Sequence, residues 1–198
     1  MKVSIVIPFT FGAHWSPLLA RCLHSVEKQT FKDYEIIVLK YGRAAETQNR
    51  LFEMARGELI KILHADDYFT SEYALQKIVS NFGEFDYWQV SGCKHSENFN
   101  EPKYPHLARY SSDIHIGNNT IGAPSVLTFR NDLGVTFDAD LDWLYDVSLY
   151  KKLFDKYGPP KILDEYPVTI GLHAGQLTHR VPDERKLSEV QLMQKRYA

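Results

Sequence analysis

The N-terminal half of the chain alternates short apolar runs with stretches whose apolar residues recur at helical spacing. Runs of β-branched and aliphatic residues at 3–7, 35–39 and 59–63 predict strands buried on both faces. Between them, residues 16–29 and 45–56 carry apolar side chains every three or four positions, which predicts two helices. A strand, helix, strand, helix, strand order predicts an α/β fold built on a parallel sheet.

The pattern is less regular in the rest of the chain. Apolar spacing predicts further elements, in chain order a helix at 71–82, a strand at 87–91, a strand at 125–129, a helix at 142–158 and a strand at 167–171. Residues 94–119 lose all periodicity, and we predict a long connecting loop there. Residues 183–198 carry a weak apolar stripe, which predicts a tail helix packed on its own domain or partly frayed. The alternative is a helix that lies on a partner or membrane surface.

Composition narrows the classes of partner. The chain has 198 residues, 44% of them hydrophobic, which suits one domain with one core. With 23 basic and 25 acidic residues it is close to neutral, so we expect no nucleic-acid partner. The two cysteines are far apart, and we find neither a signal peptide nor an apolar run long enough to cross a bilayer. We therefore expect a soluble, cytoplasmic protein without membrane association.

Two adjacent carboxylates, Asp66 and Asp67, follow the third predicted strand in the sequence LIKILHADDYF. The carboxyl ends of parallel strands meet at one edge of a sheet, where ligands bind. Two acids beside a phosphate-bearing ligand repel it unless a divalent cation such as Mg²⁺ or Mn²⁺ lies between them. The alternative is an ordinary Asp-Asp turn in which Asp67 caps the next helix.

Three segments, VSIVIPFT, ARGELIKILHADDYF and DWLYDVSLYKKL, occur in an order and spacing that resemble the family-2 glycosyltransferases of GT-A fold. The resemblance implies a single GT-A domain over residues 1–198, with a mostly parallel central sheet flanked by helices. It assigns residues 1–92 to the nucleotide-sugar-binding half, 93–181 to the acceptor-binding half and 182–198 to the tail helix.

The resemblance also implies a metal site. Asp66 matches the last carboxylate of the family's DxD motif, which binds Mn²⁺ or Mg²⁺, whereas His64 stands where the first Asp usually stands. His173 stands where many members carry a histidine that approaches the metal, and an imidazole favours manganese. The alternatives are that His173 is structural, or that His179 takes its place.

Asp146 matches the position of the family's catalytic base, which takes the proton of the acceptor hydroxyl. The alternative is an ordinary acid in the first turn of a helix, where the helix dipole favours it. Trp143, one turn earlier, is our candidate for contact with the acceptor.

Seven positions are assigned by the resemblance to the donor nucleotide, namely Pro8, Phe9, Thr10, Lys40, Tyr41, Gln48 and Asn49, together with the metal-site residues His64 and Asp66. The turn at Lys40 and Tyr41 departs from the family, which usually has an acidic turn there. Gln48 also departs, because it stands where the family has an arginine.

We expect a transferase that moves a sugar from a nucleoside-diphosphate donor, with a UDP-sugar as the first candidate, to a glycan or other hydroxyl acceptor. The metal-assisted displacement would invert the anomeric centre. The alternative is a GT-A module that binds nucleotide-sugar or glycan without turnover, which the departures at His64, Lys40 and Gln48 motivate. A nucleotidyltransferase would need a Gly-rich turn after the first strand, which PFTFGAHW does not provide.

Overall fold

The computed structural model describes residues 1–9, 15–97 and 101–197. In those ranges the strands are β1 (Val3–Pro8), β2 (Tyr34–Leu39), β3 (Leu59–Ile62), β4 (Tyr68–Phe69), β5 (Trp88–Glu97), β6 (Lys103–His106), β7 (Leu127–Arg130) and β8 (Lys161–Leu172). The α-helices are α1 (Trp15–Glu27), α2 (Ala44–Met54), α3 (Ala74–Asn81), α4 (Tyr145–Tyr157), α5 (Leu177–Arg180) and α6 (Asp183–Arg196). Short 3-10 helices lie at Ser112–Ile116, Pro124–Val126 and Asn131–Leu133.

One sheet runs through the protein in the order β2-β1-β3-β7-β5-β8-β4, and β6 pairs with β5. β1 pairs in parallel with β2 and β3, and β5 pairs in parallel with β8. β7 runs antiparallel to both of its neighbours, β3 and β5. β4 pairs antiparallel with β8, and β6 pairs antiparallel with β5. The α/β prediction is confirmed; the parallel part is the first three strands, and the second half of the sheet is mixed.

The core lies on the central strands and the helices that cover them. Residues 3–7 of β1 and 59–62 of β3 are all buried, including the polar Ser4 and Lys61 that interrupt their apolar runs. α1 buries Cys22 and Val26, which lie one turn apart on the same face. Strand β2 differs from the prediction, because Ile36 and Val38 are more than one third exposed. It is the edge of the sheet, so one of its faces is incompletely covered.

The predicted loop at 94–119 is wrong for much of its length. β5 continues to Glu97 and pairs with both β6 and β8, and the Ser112–Ile116 helix buries Ile114. β6 is exposed along most of its length, and its sequence therefore lacks the alternation of apolar and polar residues that predicts a strand. The pairing is made by the backbone, which the side-chain pattern does not report.

The tail forms α6 and packs on its own domain, as expected. Met193 has 0% of its surface exposed and Val190 is partly buried against the core. In the part of the chain that the structure describes, every helix is too short or too polar to cross a membrane.

Candidate active site

A cavity of about 750 Å³ opens at the carboxyl ends of β1 and β3. Its wall combines Pro8 and Phe9 after β1, Gln48 from α2, His64 and Asp66 after β3, and Trp143 and Asp146 at the start of α4. The fold therefore brings the metal candidate and the base candidate to one cavity, although 80 positions separate Asp66 from Asp146 in the sequence. The crevice lies where parallel strands are expected to bind ligands.

The two adjacent aspartates have different surroundings. Asp67 is buried, and its two carboxylate oxygens accept hydrogen bonds from the Ser125 hydroxyl and the Gly171 N–H. Burial, and then the charge of Asp66, raises the pKa of Asp67 well above its ordinary value. The capping alternative is wrong, because the N-cap of α3 is Tyr73. Asp67 therefore stabilises the turn through its hydrogen bonds, and Asp66 lines the cavity.

The backbone at Asp66 is fixed by two neighbouring elements. Arg21 of α1 donates a hydrogen bond from Nη2 to the Asp66 carbonyl oxygen at 2.8 Å. Gly171 of β8 approaches the same carbonyl so closely that a Cβ there would lie 2.3 Å from the oxygen. A glycine is therefore required for β8 to pack against this turn.

His173 contacts the Asp66 side chain, with 3.1 Å between Nε2 and Oδ2. The Gly175 N–H donates to His173 Nδ1 at 3.2 Å, which places the ring proton on Nε2, where it can donate to Asp66. This tautomer orients the Asp66 carboxylate. His173 is not among the residues that line the cavity.

A metal ion would find suitable ligands at this corner. Atoms of His64, Asp66 and Asp67 that could bind a metal lie within 4.8 Å of one another. Burial lowers the pKa of His64, which favours the neutral imidazole that binds metals. His64 Nε2 lies 3.4 Å from Gln48 Oε1. Since Asp67 already accepts two hydrogen bonds, Asp66 is the better carboxylate ligand, and carboxylate with imidazole suits Mn²⁺.

Asp146 lies in the first turn of α4 and is partly buried. Its Oδ2 accepts a hydrogen bond from Asn119 Nδ2 at 2.9 Å, and its Oδ1 accepts one from the Val147 N–H at 2.7 Å. Burial raises the pKa of Asp146 to about 7 against the opposing effect of these hydrogen bonds. An acid with this pKa can accept a proton near neutral pH. Sequence reasoning does not single out Asn119, because it lies in the segment 94–119 that is predicted to be a loop.

Some predicted donor residues lie elsewhere. Lys40 and Tyr41 do not line the cavity, and Tyr41 is 58% exposed; the wall continues instead with Gly42 and Arg43. Asn49 exchanges two hydrogen bonds with the backbone of Phe137 and so joins α2 to that segment. Thr10 lies outside the described residues, and His179 is exposed and off the cavity wall.

Three arginines on the cavity wall were missed by sequence reasoning. They are Arg43 before α2, Arg180 in α5 and Arg185 in α6. Arg43 and Arg185 both pair with Asp142, at 3.5 and 3.0 Å. No motif surrounds them in the sequence, and Arg180 and Arg185 reach the cavity through the packing of α5 and α6, which a local sequence pattern does not predict.

Comparisons with known proteins add the fold family. No family model and no curated protein sequence matches the chain. Among solved structures, it superposes on S. aureus TarS 1-349 in complex with UDP-GlcNAc with a TM-score of 0.75 at 15% identity, covering 98% of this chain and 65% of that one. The mannosyltransferase PcManGT from Pyrobaculum calidifontis, in complex with GDP-Man and Mn²⁺, gives a TM-score of 0.59 at 12% identity over 88% of this chain and 57% of that one.

The chain thus spans less than two thirds of the length of these neighbours. At such low identity the likeness concerns architecture, and it agrees with the mixed sheet flanked by helices and with the cavity at the strand ends. The chain has the GT-A glycosyltransferase fold.

Proposed function

We propose that this chain is a family-2-like glycosyltransferase that moves a sugar from a nucleoside-diphosphate donor to a glycan or other hydroxyl acceptor. The observation that carries the proposal is that Asp66 and Asp146 line one cavity of about 750 Å³ in a GT-A fold. That volume is within the range of about 300–1,000 Å³ typical of small-molecule sites.

The donor is a nucleotide-sugar, with a UDP-sugar as the first candidate. The structural neighbours were solved with UDP-GlcNAc and with GDP-Man, which supports this class of donor. Pro8 and Phe9 line the cavity where the base would lie, within the half formed by residues 1–92. Residues 93–181 then supply the acceptor side, including Trp143 and Asp146.

Asp66 would bind the divalent cation, with His64 and His173 as the imidazole candidates beside it. Mn²⁺ is preferred over Mg²⁺ for this combination of ligands. When bound, such an ion neutralises negative charge on a departing diphosphate. His173 orients Asp66 in its present tautomer, and it could ligate through Nε2 only after the ring proton moves to Nδ1.

Asp146 would act as the general base. It takes the proton of the acceptor hydroxyl as that oxygen bonds to the anomeric carbon, while the bond from that carbon to the diphosphate oxygen breaks and the diphosphate leaves with the electron pair. A single displacement of this kind inverts the anomeric centre. The pKa of about 7 lets Asp146 be ionised at slightly alkaline pH and still accept a proton readily.

A binding module without turnover is the second candidate. Gln48 and His64 replace an arginine and an aspartate of the resembling family, and they lie in contact at 3.4 Å. The paired replacement leaves the local net charge unchanged while removing both ionic groups. A cavity altered in this way could retain the ligand and lose the catalysis.

The test compares wild type with Asp66→Asn and, as a matched control, Asp164→Asn, which changes an exposed carboxylate of β8 off the cavity wall. Binding of UDP-GlcNAc and GDP-Man is measured by calorimetry with and without Mn²⁺, and donor consumption is measured with a panel of glycan acceptors. We expect Mn²⁺-dependent binding and consumption in wild type and Asp164→Asn, and loss of the Mn²⁺ dependence in Asp66→Asn. Binding without consumption would favour the module. Unchanged Mn²⁺ dependence in Asp66→Asn would remove Asp66 from the metal site.

A further inference from the structure

The turn that leads into α4 points three successive backbone N–H groups at one carboxylate. Asp142 N–H donates to Glu189 Oε1 at 2.8 Å, and the N–H groups of Trp143 and Leu144 donate to Oε2 at 2.9 Å each. Glu189 belongs to α6, more than 40 residues further along the chain, and only 1% of it is exposed. Successive N–H groups that converge in this way form an anion-binding site, which here is filled by the protein's own tail.

A buried carboxylate in this position needs compensation, and the structure supplies it. Arg185, one turn earlier in α6, contacts Glu189 Oε1 at 2.9 Å. With three backbone donors and one guanidinium, Glu189 is satisfied as an anion. An apolar side chain here would leave the three N–H groups without an acceptor, so the carboxylate specifies the position of the turn.

The remainder of α6 attaches to the same segment. Arg185 bonds Asp142 at 3.0 Å, and Arg196 at the other end of the helix bonds Asp138 at 2.6 Å and Asp140 at 2.9 Å. Residues 138–144 are therefore fixed at several points just before α4, which begins one residue before Asp146. The segment that leads into the first turn of α4 is bonded to the tail helix along its length.

We propose that Glu189 is a positioning residue for Asp146. It fixes the entry into α4 so that the Asp146 carboxylate faces the cavity and remains bonded to Asn119. The proposal rests on the proposed function for its catalytic consequence, whereas its structural consequence, the state of the Asp146 carboxyl, can be measured in the absence of any turnover.

The groups around Asp146 show in which direction its pKa should change when Glu189 is replaced. It is faced by the Asn119 amide from the preceding loop, by Tyr145 and Tyr150 from its own helix, and by the negative charge of Glu189 from α6. That charge disfavours ionisation of Asp146, and so does the burial that an intact turn provides. Removing the charge and loosening the turn both lower the pH at which Asp146 ionises.

The test uses the full chain carrying Glu189→Gln, with Glu184→Gln as the matched control on an exposed position of the same helix. The ionisation midpoint of the Asp146 carboxyl is followed by ¹³C NMR, and kcat and donor KM are measured with the donor that wild type consumes. For Glu189→Gln we expect a midpoint lower by about half a pH unit or more and a kcat reduced about tenfold to a hundredfold, with KM nearly unchanged. Glu184→Gln should match wild type in all three.

A Glu189→Gln protein that melts at a lower temperature, yet keeps the wild-type midpoint and kcat, would show that Glu189 only stabilises the fold, and would overturn the proposal. A shifted midpoint in a chain whose wild type transfers no sugar would support the positioning role and reject the proposed function. If Glu189→Gln does not fold, Glu189→Asp keeps the charge but shortens its reach by one methylene. A kcat equal to wild type in that variant would also overturn the proposal.

Discussion

Lys61 and Asp146 lie in different halves of the protein, and burial moves the pKa of each to about 7 from opposite directions. Lys61 is 0% exposed in β3, and its ammonium donates to the carbonyl oxygens of Leu127, in the neighbouring strand β7, and of Ser125, just before that strand. Asp146 is only partly buried, and it lines the cavity. Desolvation is the largest cause of the shift in both.

The difference shows that a shifted pKa reports burial and does not by itself indicate chemistry. Lys61 is enclosed by backbone and has no access to a substrate, so its shifted pKa is a property of the packed sheet. Asp146 combines the same degree of shift with a place on the cavity wall, which is the combination expected of a catalytic group. Three predictions test that distinction, beginning with the largest effect, and a fourth tests the packing that holds Asp66.

Replacing Asp146 by Asn should reduce kcat about a hundredfold to ten-thousandfold, the usual contribution of a general base. Lys61→Met, the comparison variant, should keep kcat within about fivefold of wild type because Lys61 does not touch the cavity. Both are measured as purified, folded proteins, with circular dichroism as the check on folding. An equal loss in the two variants would mean that Asp146 contributes through structure, as Lys61 does.

Gly171→Ala should destabilise the protein by about 1–3 kcal/mol, because overpacking at a close backbone contact forces the strand away. The new Cβ would lie 2.3 Å from the Asp66 carbonyl oxygen. Gly83→Ala is the matched control, since its Cβ would meet only the end of the Asp86 side chain, at 3.1 Å. Urea denaturation compares the two, and an unchanged midpoint for Gly171→Ala would show that the Asp66 turn is not fixed by β8.

The local pattern of the sequence was enough for the first half of the fold. β1 and β3 are buried strands whose carboxyl ends reach the cavity, so strand order placed Asp66 there, and the family resemblance added Pro8 and Phe9. Asp146 was placed by its segment's resemblance to a known helix start. In each case the chemical group follows an element that the hydrophobic pattern already predicts.

The other residues of the site could not be predicted, because each contacts a residue far away in the sequence. Asn119, Gly171 and Glu189 each reach the site through a contact with a distant element, at sequence separations of 27 for Asn119 to Asp146 and 104 for Gly171 to Asp67. A lone Asn in a polar segment or a Glu in a charged helix carries no periodic signal. Conversely, Lys40 and Tyr41 follow β2, but the cavity wall begins only at Gly42.

The pH dependence of turnover tests the role of Asp146 through an effect smaller than that of the substitution. If Asp146 is the base, kcat should rise about tenfold per pH unit below its pKa and level off above about pH 7, because only the carboxylate accepts the proton. Donor binding measured over the same range separates this from a change in affinity. A kcat that stays flat from pH 5 to 8 with unchanged binding would exclude Asp146 as the titrating base.

The smallest effect is on stability, and its sign differs between the two groups. Asp146 has a raised pKa in the folded state, so the folded protein binds more protons than the unfolded chain between about pH 4 and 7, and its contribution to the free energy of unfolding falls as pH rises through that range. Lys61 has a lowered pKa, so the unfolded chain binds more protons between about pH 7 and 10, and its contribution rises with pH there.

Urea denaturation of wild type, Asp146→Asn and Lys61→Met at several pH values isolates each contribution as a difference from wild type. We expect changes of about 1–2 kcal/mol across each range, less than full burial would give because the protein relaxes around both groups. If the free energy of unfolding changes with pH in opposite directions in the two ranges, burial disfavours the charged form of both groups. Only the loss of Asp146 would then stop turnover. Parallel slopes would mean that one of the two is not buried in solution as it is in the structure, and the comparison between them would fail at its first step.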